Sequence, residues 1–275
     1  YVEEKPSKRG ADIYTTIDIE MQDIAETVLR EKLDVIKAKN ACLVLMEVKT
    51  GEIKAMVNLQ RCADNSYIEG WNMAVADLSE PGSTFKTMSL MVALDHNICD
   101  TADVVDINNG VWMFHKSKMT DHNWHHGGYD TLTVSGILAQ SSNVGVSRII
   151  DEHYKTDPMK FIEAVKSTGF ADKLELGIPG TAVPTIPTPK SKSWSGVTLP
   201  WMSIGYTVQV PPIYTLNFYN AIANGGKMMR PYVVKEIRRD GHTILKNSPE
   251  VINSSICKSS TLSFTIQSRK PFILL

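Results

Sequence analysis

Two residues at the start of one predicted helix carry groups that could react together: the hydroxyl of Ser83 and the amine of Lys86. The Pro81-Gly82 pair breaks the chain just before them, and residues 87–94 are apolar enough for a buried helix. Because helical residues at i and i+3 share one face, we expect the two side chains to be neighbours. A serine hydroxyl becomes a nucleophile when a neutral amine takes its proton. By itself, Ser-x-x-Lys is a weak signal, and a capped surface helix with a solvated lysine is its more common interpretation.

A second polar group, Ser141 with Asn143, forms a Ser-x-Asn at the join between two apolar segments. Residues of these types at such joins often serve only as turn or cap residues. In combination with Ser83 and Lys86, they resemble the transpeptidase domain of penicillin-binding proteins, closest to the monofunctional class B enzymes of cell division and elongation. That superfamily carries Ser-x-x-Lys, Ser-x-Asn and a late Lys-[Ser/Thr]-Gly.

The resemblance covers roughly residues 10–250, and several further segments occur in the family's order. These segments are residues 12–18, 48–56, 80–86, 141–145 and 203–206. The resemblance implies an α/β (α+β) fold of the penicillin-binding transpeptidase and serine β-lactamase type. In that fold an antiparallel sheet packs with helices, beside a helical subdomain.

The resemblance also implies a mechanism. Ser83 is the nucleophile, Lys86 its base, Ser141 relays a proton to the leaving amine, and Asn143 holds Lys86 and a substrate amide. The implied substrate is a peptidoglycan stem peptide ending in D-Ala-D-Ala, and β-lactam antibiotics would acylate the same serine. No metal or organic cofactor is implied, and the implied protein partners are those of the divisome or elongasome.

Composition excludes other classes of function. The chain has 275 residues, 43% of them apolar and 21% charged, with a net charge of −1. That is enough for one sizeable core or two small ones, and it gives no basic surface for nucleic acid. The chain lacks a run of eighteen apolar residues, so we expect no spanning segment within it. The resemblance implies a parent protein anchored in the inner membrane with this domain facing the periplasm.

Local patterns predict most of the remaining elements. Asp18 is expected to cap a helix that ends near residue 40, and a hairpin is expected around residues 48–51. The Lys-Thr-Gly in that turn is interpreted as turn chemistry and not as the family's third motif. Proline-rich residues 177–200 predict a long loop. A helix beginning at Pro212 and a second hairpin over residues 231–245 follow.

The segment between residues 94 and 141 looks irregular and contains three close histidines, His122, His125 and His126, beside Asp121. These ligand types could hold zinc. Adjacent histidines point in different directions in most backbones, so we predict no metal here. The resemblance implies that this segment belongs to the helical subdomain beside the serine, as a loop that lines the substrate cleft. The four cysteines are widely spaced and have no metal-ligand pattern.

The domain organisation is expected to be a linker at residues 1–11, from a missing pedestal or anchor region, and a partial transpeptidase domain at 12–256. An aberrant or truncated tail is expected at 257–275, because that stretch is polar and then abruptly apolar, without clear helical periodicity. The late sheet strands and the third motif are expected to be missing. We therefore expect this chain to be poorly active.

Several alternatives remain open at the level of sequence. The same fold serves serine β-lactamases, β-lactam sensor domains and D,D-carboxypeptidases. A non-catalytic scaffold that binds cell-wall proteins is the alternative from a different class.

Overall fold

The computed structural model describes residues 10–267. Its first elements are β1 (Asp12–Thr15), α1 (Ile19–Ile36), β2 (Asn40–Met46), β3 (Ile53–Arg61), β4 (Tyr67–Glu69), α2 (Met73–Ala76), α3 (Lys86–Asp95), β5 (Val104–Asp106), β6 (Val111–Phe114), β7 (Ser117–Thr120), β8 (Thr131–Thr133) and α4 (Val134–Ala139). The later ones are α5 (Asn143–Tyr154), α6 (Pro158–Ser167), α7 (Thr198–Ser203), α8 (Pro212–Ala223), β9 (Met228–Met229), β10 (Val234–Arg239), β11 (His242–Lys246), β12 (Val251–Asn253) and α9 (Ser259–Gln267). The chain divides into two compact units.

The first unit holds two antiparallel three-stranded sheets. It consists of the described residues up to Gly70, together with Leu174–Thr181 and Arg230–Glu250. The strand orders are β1-β10-β11 and β2-β3-β4. A bridge between Glu52 and Tyr232 connects the two sheets. Both predicted hairpins, β2-β3 and β10-β11, are confirmed.

Helix α1 packs on β3 through a narrow apolar face. Asp18 caps it as predicted, accepting hydrogen bonds from the backbone N–H groups of Glu20 and Met21. The helix ends at Ile36, where Lys37 adopts a left-handed conformation. The core between helix and sheet consists of Ala25, Leu33, Ala55, Val57, Leu59 and Tyr67. Other apolar residues of α1 are exposed, among them Ile19, Ile24, Val28 and Ile36.

The second unit is built around α3. It comprises Trp71–Lys173, Ala182–Met229 and the described residues from Val251 onward. Every residue of α3 from Lys86 to Ala93 is buried, and α4, α5, α6 and α9 pack around it. A central helix without an exposed face can position a reactive group at its N-terminus rigidly.

Three regions of the second unit differ from the expectations from sequence. The segment before α4 forms two short antiparallel pairs, β5-β8 and β6-β7, because three- or four-residue strands are too short to show alternation. The loop predicted over residues 177–200 ends at residue 197, because α7 begins at Thr198. Pro200 does not prevent this helix, since it lies in the first turn, where a backbone N–H has no partner within the helix.

The third difference is α9, which forms where the sequence showed no helical period. Its start is held by Asp95 Oδ1, which accepts from the N–H of Lys258 at 2.7 Å and from Thr261 Oγ1 at 3.1 Å. Residues 1–9 of the predicted linker and 268–275 of the predicted tail lie outside the described residues. Between residues 10 and 267, the helices are all too short or too polar to cross a bilayer.

Candidate active site

Ser83 is exposed and lies on a 3-10 turn, Gly82–Phe85, that leads directly into α3. The N–H of Lys86 donates to the carbonyl of Ser83, so the turn and the helix are continuous. In a 3-10 turn, side chains at i and i+3 eclipse, which places positions 83 and 86 on the same side. The predicted helix start is therefore present, with its first turn tightened.

The turn that carries Ser83 is held on several sides. Tyr219 Oη donates to the carbonyl of Thr84 at 2.8 Å, and the N–H of Gly82 donates to the carbonyl of Gly205 at 3.1 Å. Phe85 is buried, and its ring lies edge-on to Phe170 with centroids 5.7 Å apart. These contacts fix the position of Ser83 relative to the helix behind it.

Gly205 matters because of how closely two backbones approach. Its φ is +84°, and a Cβ placed there would lie 2.1 Å from the carbonyl oxygen of Gly82. Only glycine fits this conformation at this distance. The backbone of residues 203–206 therefore packs directly against the Ser83 turn at Gly82.

Lys86 is almost completely buried, with a relative exposure of 1%. Its Nζ donates to the carbonyl oxygen of Ser141 at 2.5 Å and to Ser141 Oγ at 3.0 Å. Burial lowers the pKa of the amine from 10.5 to about 8, while the charge of Asp121 acts in the opposite direction. The amine therefore titrates close to neutral pH, where roughly a tenth of it is uncharged at pH 7.

The corner between α4 and α5 presents Ser141 to the lysine. Ser141 has a φ of +51°, a left-handed conformation that is uncommon for residues other than glycine. Ser142 caps α5, because its Oγ accepts from the N–H of Gly145 at 2.9 Å. Asn143 Nδ2 donates to the carbonyl of Thr120 at 2.8 Å.

The structure thus brings Lys86 and Ser141 into direct contact. The predicted contact between Asn143 and Lys86 is not present: among the described residues, the hydrogen bonds of Lys86 Nζ go to Ser141, and the amide of Asn143 is engaged by Thr120. The amide nitrogen of Asn143 and the ammonium are both donors, so Thr120 and Ser141 supply the acceptors that each needs.

Reasoning from sequence missed two residues that shape this site. The sequence suggests Asp121 only as a possible zinc ligand, whereas in the structure its buried carboxylate accepts hydrogen bonds from Ser142 and Val144. The part of the chain that the structure describes contains no group of three or more His, Cys, Asp or Glu side chains that could hold a metal ion. Gly205 lies in a segment that the resemblance included, but a local pattern does not show its approach to Gly82.

Comparison with known proteins identifies the family of this chain. The family model for the penicillin-binding protein transpeptidase domain matches residues 41–267. The chain belongs to this family. The match continues to the end of α9, eleven residues past the boundary predicted at 256, so the helix is part of the matched domain.

Curated relatives carry transpeptidase names. The chain is 27% identical to the probable peptidoglycan D,D-transpeptidase PbpC of Pseudomonas aeruginosa, covering 92% of this chain and 47% of the relative. It is 31% identical to the peptidoglycan D,D-transpeptidase FtsI of Buchnera aphidicola, covering 90% of this chain and 42% of that relative. The chain therefore spans less than half the length of these two relatives.

A solved structure supports the fold. A protein from Burkholderia ambifaria, described as a peptidoglycan glycosyltransferase, superposes with a TM-score of 0.77 at 25% identity, covering 95% of this chain and 74% of that one. The α/β penicillin-binding fold predicted from the sequence is confirmed.

Proposed function

We propose that this penicillin-binding domain is a peptidoglycan D,D-transpeptidase that works through an acyl-enzyme on Ser83. The observation that carries the proposal is the buried amine of Lys86, with its pKa lowered to about 8, lying one turn from an exposed serine hydroxyl and in contact with Ser141. An ordinary solvated lysine would be almost fully charged at neutral pH and could not accept a proton.

The proposed reaction has two steps. In the first, Ser83 Oγ bonds to the carbonyl carbon of the penultimate D-Ala of a stem peptide, and Lys86 takes the hydroxyl proton. The C–N bond then breaks, and the terminal D-Ala leaves after its amine receives a proton through Ser141, which contacts Lys86 Nζ. In the second, the amine of a neighbouring stem peptide attacks the ester, forms the cross-link and regenerates Ser83.

Asn143 is assigned to substrate binding in this proposal. Its Nδ2 group is engaged by the carbonyl of Thr120, which fixes the orientation of the amide. Its Oδ1 is then assigned to a substrate amide N–H. The role predicted for Asn143 in holding Lys86 is assigned to Ser141 instead, whose carbonyl and hydroxyl both accept from Nζ.

The setting of the whole protein is part of the proposal. We infer a parent protein anchored in the inner membrane, with this domain in the periplasm and with divisome or elongasome proteins as partners. Support comes from the resemblance to class B enzymes, because their substrate is the periplasmic cell wall. β-Lactam antibiotics would acylate Ser83 as analogues of the D-Ala-D-Ala end.

The test is covalent labelling of the product of the whole gene with a fluorescent penicillin. Ser83→Ala should abolish labelling, because no other group replaces the nucleophile. Thr84→Ala is the matched control, since it removes the neighbouring exposed hydroxyl, whose hydrogen bond stays within the turn at Pro81. Retained labelling in the Ser83 variant would exclude Ser83 as the nucleophile. Rapid release of hydrolysed antibiotic by the unaltered protein would favour a β-lactamase over a transpeptidase.

A further inference from the structure

A buried carboxylate beside the site has no role in the mechanism above. Asp121 follows β7 directly and is 3% exposed. A buried carboxylate is costly unless it is hydrogen-bonded or paired. Within residues 10–267, no Lys, Arg or His nitrogen lies within 4 Å of its oxygens. Its compensation therefore comes from hydrogen bonds.

Both carboxylate oxygens of Asp121 bind the corner that follows Ser141. Oδ2 accepts from Ser142 Oγ at 2.6 Å, and Oδ1 accepts from the N–H of Val144 at 2.9 Å. One carboxylate thus holds the residues on both sides of Asn143. Thr120, the preceding residue, accepts from Asn143 itself. The end of β7 and the residue after it fix three consecutive residues of the corner.

The position of this corner determines what Lys86 contacts. Ser141 contacts Nζ with its carbonyl and its hydroxyl from a left-handed backbone conformation, which costs about 1 kcal/mol or more in a residue with a side chain. Such a conformation persists only when its surroundings hold it. The bonds from Asp121 to Ser142 and Val144 begin at the next residue, so they are well placed to hold it.

We propose that Asp121 is a positioning residue of the acyl-transfer site, whose carboxylate holds Ser141 against Lys86. The inference rests on the function proposed above. Among the ionisable groups of the described residues, Asp121 is the one whose charge shifts the pKa of Lys86, and it raises that pKa against the effect of burial. Asp121 therefore limits how far burial lowers the pKa, and it keeps the amine basic enough to take the serine proton.

The charge effect can be measured without any acylation. Lysine side chains labelled with ¹³C at Cε report their own titration by NMR, and the Lys86 signal is assigned by its loss in Lys86→Met. Asp121→Asn should lower the titration midpoint of Lys86 by about 1 pH unit, because an opposing charge is removed. Asp157→Asn is the matched control: it removes the same charge from an exposed site at the start of α6 and should leave the midpoint unchanged. A folded Asp121→Asn protein with an unchanged midpoint would overturn the charge effect, whatever the role of Ser83.

The positioning effect needs a variant that keeps the charge. Ser142→Ala removes one of the two hydrogen bonds of Asp121 and also the cap of α5. It should slow penicillin acylation of the whole gene product by about tenfold or more at every pH, with little change in the Lys86 midpoint. Thr133→Ala is its control, because it removes the cap of α4 without touching Asp121. Equal acylation rates in these two variants would overturn the positioning effect, including in the case that Asp121→Asn does not fold.

Discussion

Lys86 shows how one buried residue can serve function at the expense of stability. In the folded state, burial disfavours the charged form of the Lys86 amine and lowers its pKa to about 8. In the unfolded chain the same amine is solvated and has the ordinary lysine pKa of 10.5. Between these two values the unfolded chain holds more protons than the folded one. The stability of the protein should therefore rise as the pH increases from about 8 to about 10.5.

We predict that Lys86→Met stabilises the fold while it abolishes acylation. Methionine has a similar length and carries no charge, so the free energy of unfolding at pH 7 should rise by about 1–2 kcal/mol. The advantage should shrink toward pH 10, where the wild-type amine is neutral when folded. Urea unfolding at both pH values measures the difference.

Lys160 provides the control for this experiment. It is an exposed lysine on α6 whose nearest carboxylate, Asp157, lies 3.8 Å away. Lys160→Met should change stability little at either pH. If Lys86→Met changed the free energy of unfolding by the same amount at pH 7 and at pH 10, the lowered pKa of the buried lysine would be contradicted.

Three elements form the site: the N-terminus of α3, the corner before α5 and the segment that follows α7. Buried hydroxyls connect these helices. Ser89 Oγ on α3 donates to the carbonyl of Ser203 on α7 at 2.7 Å, and Ser147 Oγ on α5 donates to the carbonyl of Pro200 at 2.8 Å. Buried hydroxyls that are fully bonded fix the relative positions of helices better than apolar contacts alone.

We predict that Gly205→Ala displaces the Ser83 turn. The new methyl group would lie 2.1 Å from the Gly82 carbonyl oxygen, so one backbone segment must move. Penicillin labelling of the whole gene product should fall by about tenfold or more, because small displacements of a reacting group are costly.

Gly180→Ala separates the effect of contact from that of conformation. Gly180 has a nearly identical φ of +85°, but a Cβ there would meet nothing within 4 Å. This variant should lose about 1 kcal/mol of stability and keep its labelling. Equal labelling in the two variants would show that the close approach at Gly205 does not matter for the site.

At the scale of the whole molecule, each compact unit joins segments that are distant in the sequence. In the first unit, Thr16 is 5% exposed, and its Oγ1 lies 2.6 Å from the carbonyl oxygen of Ile53 and 3.2 Å from that of Tyr232. One hydroxyl therefore connects the end of β1 with the two sheets of that unit. Its contribution depends on the complete folding of the unit.

We predict that Thr16→Val destabilises the first unit by about 1–3 kcal/mol. The substitution preserves shape but removes the buried hydroxyl that donates to the carbonyl of Ile53. Thr131→Val in β8 is the control, because that side chain is exposed and should tolerate the change. Denaturant unfolding of both variants checks the prediction, and equal stabilities would contradict the role of Thr16.

Local chemistry accounts for most of what could be predicted from the sequence. The cap at Asp18, the two hairpins and the helix beginning at Pro212 depend on residues within a few positions of one another, and all are present. Short strands such as β6 and the helix α9 could not be predicted. They are held by partners far along the chain, as Asp95 holds the start of α9.

The sequence by itself determined which groups are available, their order and the spacing of Ser83 and Lys86, because these are properties of neighbouring residues. Only the tertiary structure decided that the lysine is buried and that Ser141 is its partner. It alone also showed that Asp121 holds the corner and that Gly205 must lack a side chain. Burial and the charge of Asp121, a residue distant in the sequence, set the pKa of this amine, and neither can be derived from a local pattern.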